Sequence, residues 1–246
     1  MVERVTTAGG EIRRLPLADG SVATIDTSSS LRVAMADDSR PIALQEGQAW
    51  FQVAKDRKRP FVVDAGIAQV RAVGTAFSVR RTGSGVRVAV TEGRVAAWAT
   101  DSGGTMTILE AGQYATFRPG AAAPEIATEP AAIERSLAWR SGEISLENET
   151  LGSAVEQFNR YNRQQLVIAD RDLAGARLVG LFQIDRPADF AATLSASLDV
   201  AVTATPDEIR LARKNTRYPD GNPPARTLGI ESAPAIGRPM KRGGSN

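Results

Sequence analysis

Between Glu11 and Phe117 apolar and polar residues alternate in short runs, and one device recurs at the ends of those runs. It reads Leu17-Ala-Asp-Gly-Ser-Val, Leu44-Gln-Glu-Gly-Gln-Ala-Trp-Phe, Val90-Thr-Glu-Gly-Arg-Val and Leu109-Glu-Ala-Gly-Gln-Tyr. Alternation with a period of two places every second side chain on one face of an extended chain, so each run reads as a strand. Glycine supplies the positive φ of a tight change of direction, and an acidic side chain beside it can accept bonds from nearby backbone N–H groups. Repeated corners between short strands confine this half to an all-β stack.

The strands expected are 11–17, 21–26, 31–35, 41–44, 48–53, 61–65, 69–73, 76–80, 86–91, 94–99, 106–109 and 113–117. Gly83–Gly85 and Thr100–Gly104 read as hairpin loops. The corners are spaced irregularly, which disfavours a strict short-period solenoid and leaves a β-solenoid-like or sandwich-like stack of antiparallel strands. Residues 1–10 are expected to be a flexible N-terminus around a β-rich unit at 11–118. The Ala- and Pro-rich stretch 119–137 reads as a linker.

Beyond it the period changes. A short strand at 143–146 precedes Leu151, Ala154, Val155, Phe158 and Tyr161 at helical spacing, with Asn148 or Thr150 placed to cap. Strand-like segments at 166–169 and 178–182 follow. A second helix is expected over 187–198, with Asp185 near its start and Phe190, Leu194 and Leu198 on one face, and a hairpin over 200–205 and 209–212 closes the unit. The order is β-α-β, β-α-β, β: a small α/β unit at 138–212. From 213 to 246, prolines, glycines and scattered basic residues replace any periodicity, so a disordered tail is expected. The fold class is mainly β plus small α/β.

Composition narrows the chemistry. The chain has neither cysteine nor histidine, which removes thiolate catalysis, disulfides, the commonest metal ligand and the usual nucleophile–base pairs. A formal net charge of +2 is too small for a general nucleic-acid footprint. No apolar run is long enough to span a bilayer. No cofactor, metal or catalytic residue is expected, and nucleic acid is not an expected partner.

The motifs in the β-rich half carry a resemblance. Leu17-x-Asp-Gly-Ser, Arg40, Leu44-x-Glu-Gly-x-Ala-Trp-Phe-x-Val-Ala-Lys-Asp, Arg59-Pro-Phe-x-Val, Val73-Gly-Thr-Ala-Phe-x-Val-Arg, Val90-x-Glu-Gly-Arg-Val and Ala111-Gly-Gln stand in order and resemble the FecR family of anti-sigma regulators. Trp139-x-x-Gly-Glu-Ile, Phe158-Asn-Arg-Tyr-Asn and Gly180-x-Phe resemble that family's C-terminal part, which is similar to the short N-terminal domain of secretins and TonB-dependent receptors. The resemblance implies a periplasmic signalling module anchored in the inner membrane by an N-terminal span. Its implied partner is the N-terminal signalling domain of a TonB-dependent outer-membrane transducer, and the implied input is an iron–siderophore or similar ligand. It implies an extracytoplasmic-function (ECF) sigma factor only through a cytoplasmic segment, which is expected to lie outside this sequence, since the sequence starts where the span would have ended.

Several residues admit two accounts. Asp19, Glu46, Glu92 and Glu110 serve turns, or, as paired carboxylates, glycoside chemistry. Phe51, Phe61, Phe77, Trp98 and Phe117 fill a core or line a ligand pocket. Gly74 marks a bulge or turn rather than a phosphate cradle. Lys55–Arg59 is a solvated basic loop or an acidic-partner contact. The expected partner-binding residues are Arg160, Tyr161, Arg163 and Gln164, a polar rim with an aromatic anchor beside a strand edge open to pairing. A polysaccharide-binding or carbohydrate-active protein, suggested by Trp50 and Trp98, and a secretion-system assembly component are the alternatives.

Overall fold

The computed structural model describes residues 2–36, 39–100 and 105–214. Most of the tail expected over 213–246, and most of the loop at 100–104, therefore lie outside the described residues.

The β-rich half is two curled sheet faces packed over one core. One face joins β1 (Val2–Thr6), β4 (Ser30–Ala34), the first part of β5 (Arg40–Gln52), β6 (Phe61–Asp64), β7 (Ala68–Ala72), β10 (Arg94–Ala99) and β11 (Thr107–Glu110). The other joins β2 (Arg13–Pro16), β3 (Val22–Ile25), the second part of β5, β8 (Ala76–Thr82), β9 (Gly85–Glu92), β12 (Gln113–Phe117) and β13 (Glu125–Thr128). Pairing is antiparallel except between β5 and β6, which run parallel.

The glycine corners are the places where the chain changes face or reverses. Gly20, Gly47, Gly93 and Gly112 all have positive φ. Gly93 carries the chain from β9 to β10 and Gly112 from β11 to β12, each time across to the opposite face. Gly47 does something the sequence pattern did not suggest. The two strands expected at 41–44 and 48–53 are one strand, β5, which pairs with β4 and β6 before Gly47 and with β3 and β8 after it. The glycine bends a continuous strand so that it belongs to both faces.

Alternate residues of both faces point inward. Leu31, Ile42, Leu44, Phe61, Val63 and Val70 meet Ile25, Phe51, Phe77, Val79, Val88 and Phe117 in one buried cluster. Phe51 stands 5.6 Å from Phe61 and 5.4 Å from Phe77 between ring centroids, distances at which aromatic pairs add to plain burial. Four of the five aromatics weighed above are thus core. The exception is Trp98, which points away from its buried neighbour Ala97 and is half-buried.

Two segments expected to be unstructured are ordered. Residues 2–6, within the stretch taken as a flexible N-terminus, form β1 against β4; β4 offered an unpaired edge, and backbone pairing there overrides weak local signals. Within the stretch taken as a linker, β13 pairs with β12 and α1 (Pro130–Ser136) buries Ile133. The same Ala and Pro residues suit a helix start, since proline at the first helical position lacks only an N–H that would have no intrahelical partner.

The second core follows the expected element order: β14 (Glu143–Thr150), α2 (Leu151–Asn159), β15 (Gln165–Ile168), β16 (Arg177–Gln183), α3 (Pro187–Ser197), β17 (Val200–Ala204) and β18 (Glu208–Arg213). Thr150 caps α2 by accepting from the Ser153 N–H at 3.1 Å, whereas Asp185 makes no cap to α3. The pairing is interleaved. β14 pairs with β16, and β15 lies parallel to β18, which also pairs with β17. Helix faces bearing Leu151, Phe158, Phe190 and Leu194 cover these short sheets, and Phe158 stacks on Phe190 at 4.4 Å. Trp50, Ala89 and Tyr114, on the outer face of the β-rich half, join this second cluster.

Candidate partner surface and the contacts that frame it

The motif residues of the first half converge on one side chain. Arg40, 0% exposed, begins β5. Its Nη1 donates to Asp19 Oδ2 at 2.6 Å and to the Ala54 carbonyl at 3.1 Å. Its Nε donates to the Arg59 carbonyl at 2.7 Å, and its Nη2 to the Asp56 carbonyl at 3.3 Å. Ser21 closes the ring, donating its hydroxyl to Asp19 Oδ2 at 2.7 Å while accepting from the Ala54 N–H. A buried cation is tolerated only when paired and hydrogen-bonded, and here carbonyls of one loop supply most of the acceptors. The basic loop 55–59 is therefore shaped by its backbone wrapping Arg40, with Arg59 also bonded to Asp56 at 2.8 Å. Burial pushes the Asp19 carboxyl up, but the bonds from Ser21 and Arg40 outweigh it and hold the group below the usual carboxylate range. Asp19 is thus occupied in structure, and Glu46 and Glu92 stand beside the corner glycines.

Trp50, on the outer face of β5, donates Nε1–H to Thr91 Oγ1 at 3.3 Å and lies under the Arg140 guanidinium at 4.4 Å. It is packing between the cores, not an open sugar platform. Gly74 has φ +65° with Lys55 against it, and β8 follows it, so no helix is present to cradle an anion.

The four residues expected at the partner surface separate into two pairs. Arg160 and Tyr161 face inward across the two halves. Arg160 Nη2 and the Tyr161 hydroxyl donate to the two oxygens of Asp26, each at 2.8 Å, and Asp26 is fully buried. Thr27 Oγ1 donates to the Arg160 carbonyl at 3.1 Å. Burial, and next the Asp26 carboxylate, raise the Tyr161 hydroxyl far above its ordinary pKa, so it stays a donor. Arg163 instead projects into solvent with its side chain 96% exposed, 3.9 Å from Asp207. Gln164 Nε2 donates to the Thr205 carbonyl at 2.6 Å. The sequence placed an aromatic and a cation near a helix end, but Asp26, more than a hundred residues earlier, gave no sign of being their acceptor.

Among the described residues, unpaired strand edges are found in both small sheets of the second core. β14 and β16 form a two-stranded sheet, so each has an open edge, and Leu181 on β16 is 60% exposed beside half-exposed Val179. β17 is an edge as well, with Val202 exposed.

These features define a β-rich protein of two cores, joined through a buried carboxylate and bordered by open strand edges. Residues 3–96, Arg40 and its ring included, match the family model described as FecR protein. The match ends within β10. The fold extends further: two crystal structures of a candidate anti-sigma factor from Parabacteroides distasonis ATCC 8503, at 2.50 and 1.65 Å resolution, superpose with a TM-score of 0.69 at 19% identity. They cover 87% and 86% of this chain and 99% of theirs, so both cores belong to the shared fold. No curated protein matches the sequence.

Proposed function

We propose that this chain is the signal-receiving, periplasmic part of a FecR-like anti-sigma regulator. Its second unit binds the N-terminal signalling domain of a TonB-dependent outer-membrane transducer. Occupancy of that transducer by an iron–siderophore or similar ligand is thereby relayed to an ECF sigma factor, which such regulators hold through a cytoplasmic segment on the far side of a membrane span. The observation that carries this proposal is the FecR match over residues 3–96, supported by a fold shared almost end to end with a candidate anti-sigma factor. No helix among the described residues is long and apolar enough to cross a membrane.

Recognition rather than bond-making is the activity proposed. The chain lacks imidazole and thiol groups, and its most buried carboxylates, Asp19 and Asp26, are saturated by arginine, serine and tyrosine donors. Open edges at β14, β16 and β17 can add a strand from a partner, gaining backbone hydrogen bonds. Arg163 and Gln164 lie next to Arg160 and Tyr161 in the chain, so a partner gripping the former is placed to bias the Asp26 contact. A coupling of about 1–3 kcal/mol is the usual size of such an effect.

Calorimetric titration of the full chain with the N-terminal signalling domain of a TonB-dependent transducer from the same organism tests this. Binding is expected, weakened severalfold by Arg163→Ala, by Gln164→Ala and by Leu181→Asp. Absence of binding sinks the partner assignment, and binding untouched by all three substitutions sinks the surface.

A further inference from the structure

A cleft of ≈ 410 Å³ lies between the outer face of the β-rich half and the elements α1, β14 and α2. On its sheet wall stand Arg80 of β8 and Arg87 of β9, and the strand register sets them directly opposite one another. Like charges paired across strands repel. Among the described residues neither guanidinium donates a hydrogen bond or forms an ion pair with a carboxylate; Arg87 rests on the Tyr114 ring at 3.7 Å. Enclosure, and next the neighbouring Arg160, disfavour the charge on Arg80 and outweigh the attraction of the nearby Asp26 carboxylate. Arg160, in contrast, is neutralised by Asp26, and Arg135 by Glu147.

Trp139 lines the same cleft; it is 5% exposed, and among the described residues its buried indole Nε1–H has no protein partner. A buried donor left unsatisfied is destabilising. On the sheet wall the two facing arginines present donors to the opening with no carboxylate bonded to either. The far wall limits what can enter: Glu129, Glu143, Glu149 and Glu156 line it, which repels an extended polyanion and keeps negative charge to the sheet side.

We propose that Arg80 and Arg87 form a binding site for a compact oxyanion, a phosphate- or carboxylate-bearing small molecule, held between the two halves of the protein. Paired guanidinium forks suit oxyanion geometry. A ligand seated there touches both cores at once and strengthens the contact between them. Arg80 and Arg87 are not among the residues proposed to grip the transducer, although Arg160 and Tyr161 line the same cleft.

The test uses the full chain and inorganic phosphate, by calorimetry and thermal unfolding at constant ionic strength, with chloride as the comparison anion. Saturable binding and a rise in Tm are expected with phosphate and not with chloride. Arg80→Gln and Arg87→Gln are each expected to weaken binding about tenfold, as loss of a charge-assisted bond implies, while Arg71→Gln, on the opposite face, leaves it unchanged. Without phosphate, Arg80→Gln should melt no lower than the parent, because repulsion is relieved, whereas Arg87→Gln also loses its contact with the Tyr114 ring. The proposal is overturned if phosphate gives no saturable effect, if chloride matches it, if all three variants respond alike, or if Arg80→Gln melts lower in phosphate-free buffer.

Discussion

At the scale of single residues, Arg40 shows how a charge can be made part of a core. Its guanidinium has no exposure, one carboxylate and three carbonyls around it, and the Phe61 ring at 5.5 Å. Removing only the cation leaves Asp19 buried without its counter-ion, so Arg40→Met is expected to cost about 3–5 kcal/mol. Adding Asp19→Asn should recover part of that loss, and urea unfolding of the two variants measures both. The same pair sets a pH dependence. Asp19 has its folded pKa depressed below that of the unfolded chain, so its contribution is present above the unfolded value of about 3.9 and is lost as pH falls through the lower folded value. The urea midpoint should fall in that acidic window, and Asp19→Asn should flatten the part of the fall that this carboxylate supplies. An unchanged slope in the variant contradicts the assignment. Arg40, Asp19, Ser21 and Arg59 were all legible as motif positions. Their convergence was not, because a one-dimensional string does not say which loop closes over which strand.

Among the elements, β5 is the hinge of the β-rich half. A Cβ on Gly47 would stand 2.1 Å from Ser29 Oγ and 2.7 Å from Ser29 Cα, at φ +82°. Gly47→Ala therefore combines left-handed backbone strain with a steric clash, and about 2–4 kcal/mol of destabilisation is expected. Chemical denaturation reads this directly; a loss under 1 kcal/mol would mean that β4 and β5 part easily. The strands of this half were nearly all visible in the sequence, since alternation reports which side of a strand is wet. The bend at Gly47 was read as a break because the corner motif looks the same whether the chain reverses or changes sheet. β1, β13 and α1 escaped for a related reason: their local signals are weak, and they are fixed by the edges and faces they cover.

Over the whole molecule, the contact between the two cores rests on a small polar knot beside the Trp50, Ala89 and Tyr114 packing. Asp26 receives Arg160 and Tyr161, and a Cβ on Gly10 would meet the Tyr161 carbonyl oxygen at 2.5 Å, so the approach is close on both sides. Tyr161→Phe removes a hydrogen bond to a charged group and should destabilise by about 1.5–3 kcal/mol. Asp26→Ala strips both donors of their acceptor and is expected to split a single calorimetric unfolding transition into two. A variant that keeps one transition at the parental Tm would show that the apolar packing alone joins the cores.

From residue order alone came the strand-rich first half, the helix–strand alternation of the second, the glycine corners and the poverty of catalytic side chains. Those follow from periodicity and from what particular side chains can do, which are local properties. Only the folded chain decided that Arg160 and Tyr161 turn inward to Asp26, that Trp50 lies beneath Arg140, and that Arg80 faces Arg87 across a cleft. Such contacts join residues far apart in sequence, and their energies come from exclusion of water and from geometry that exists only once both cores are packed.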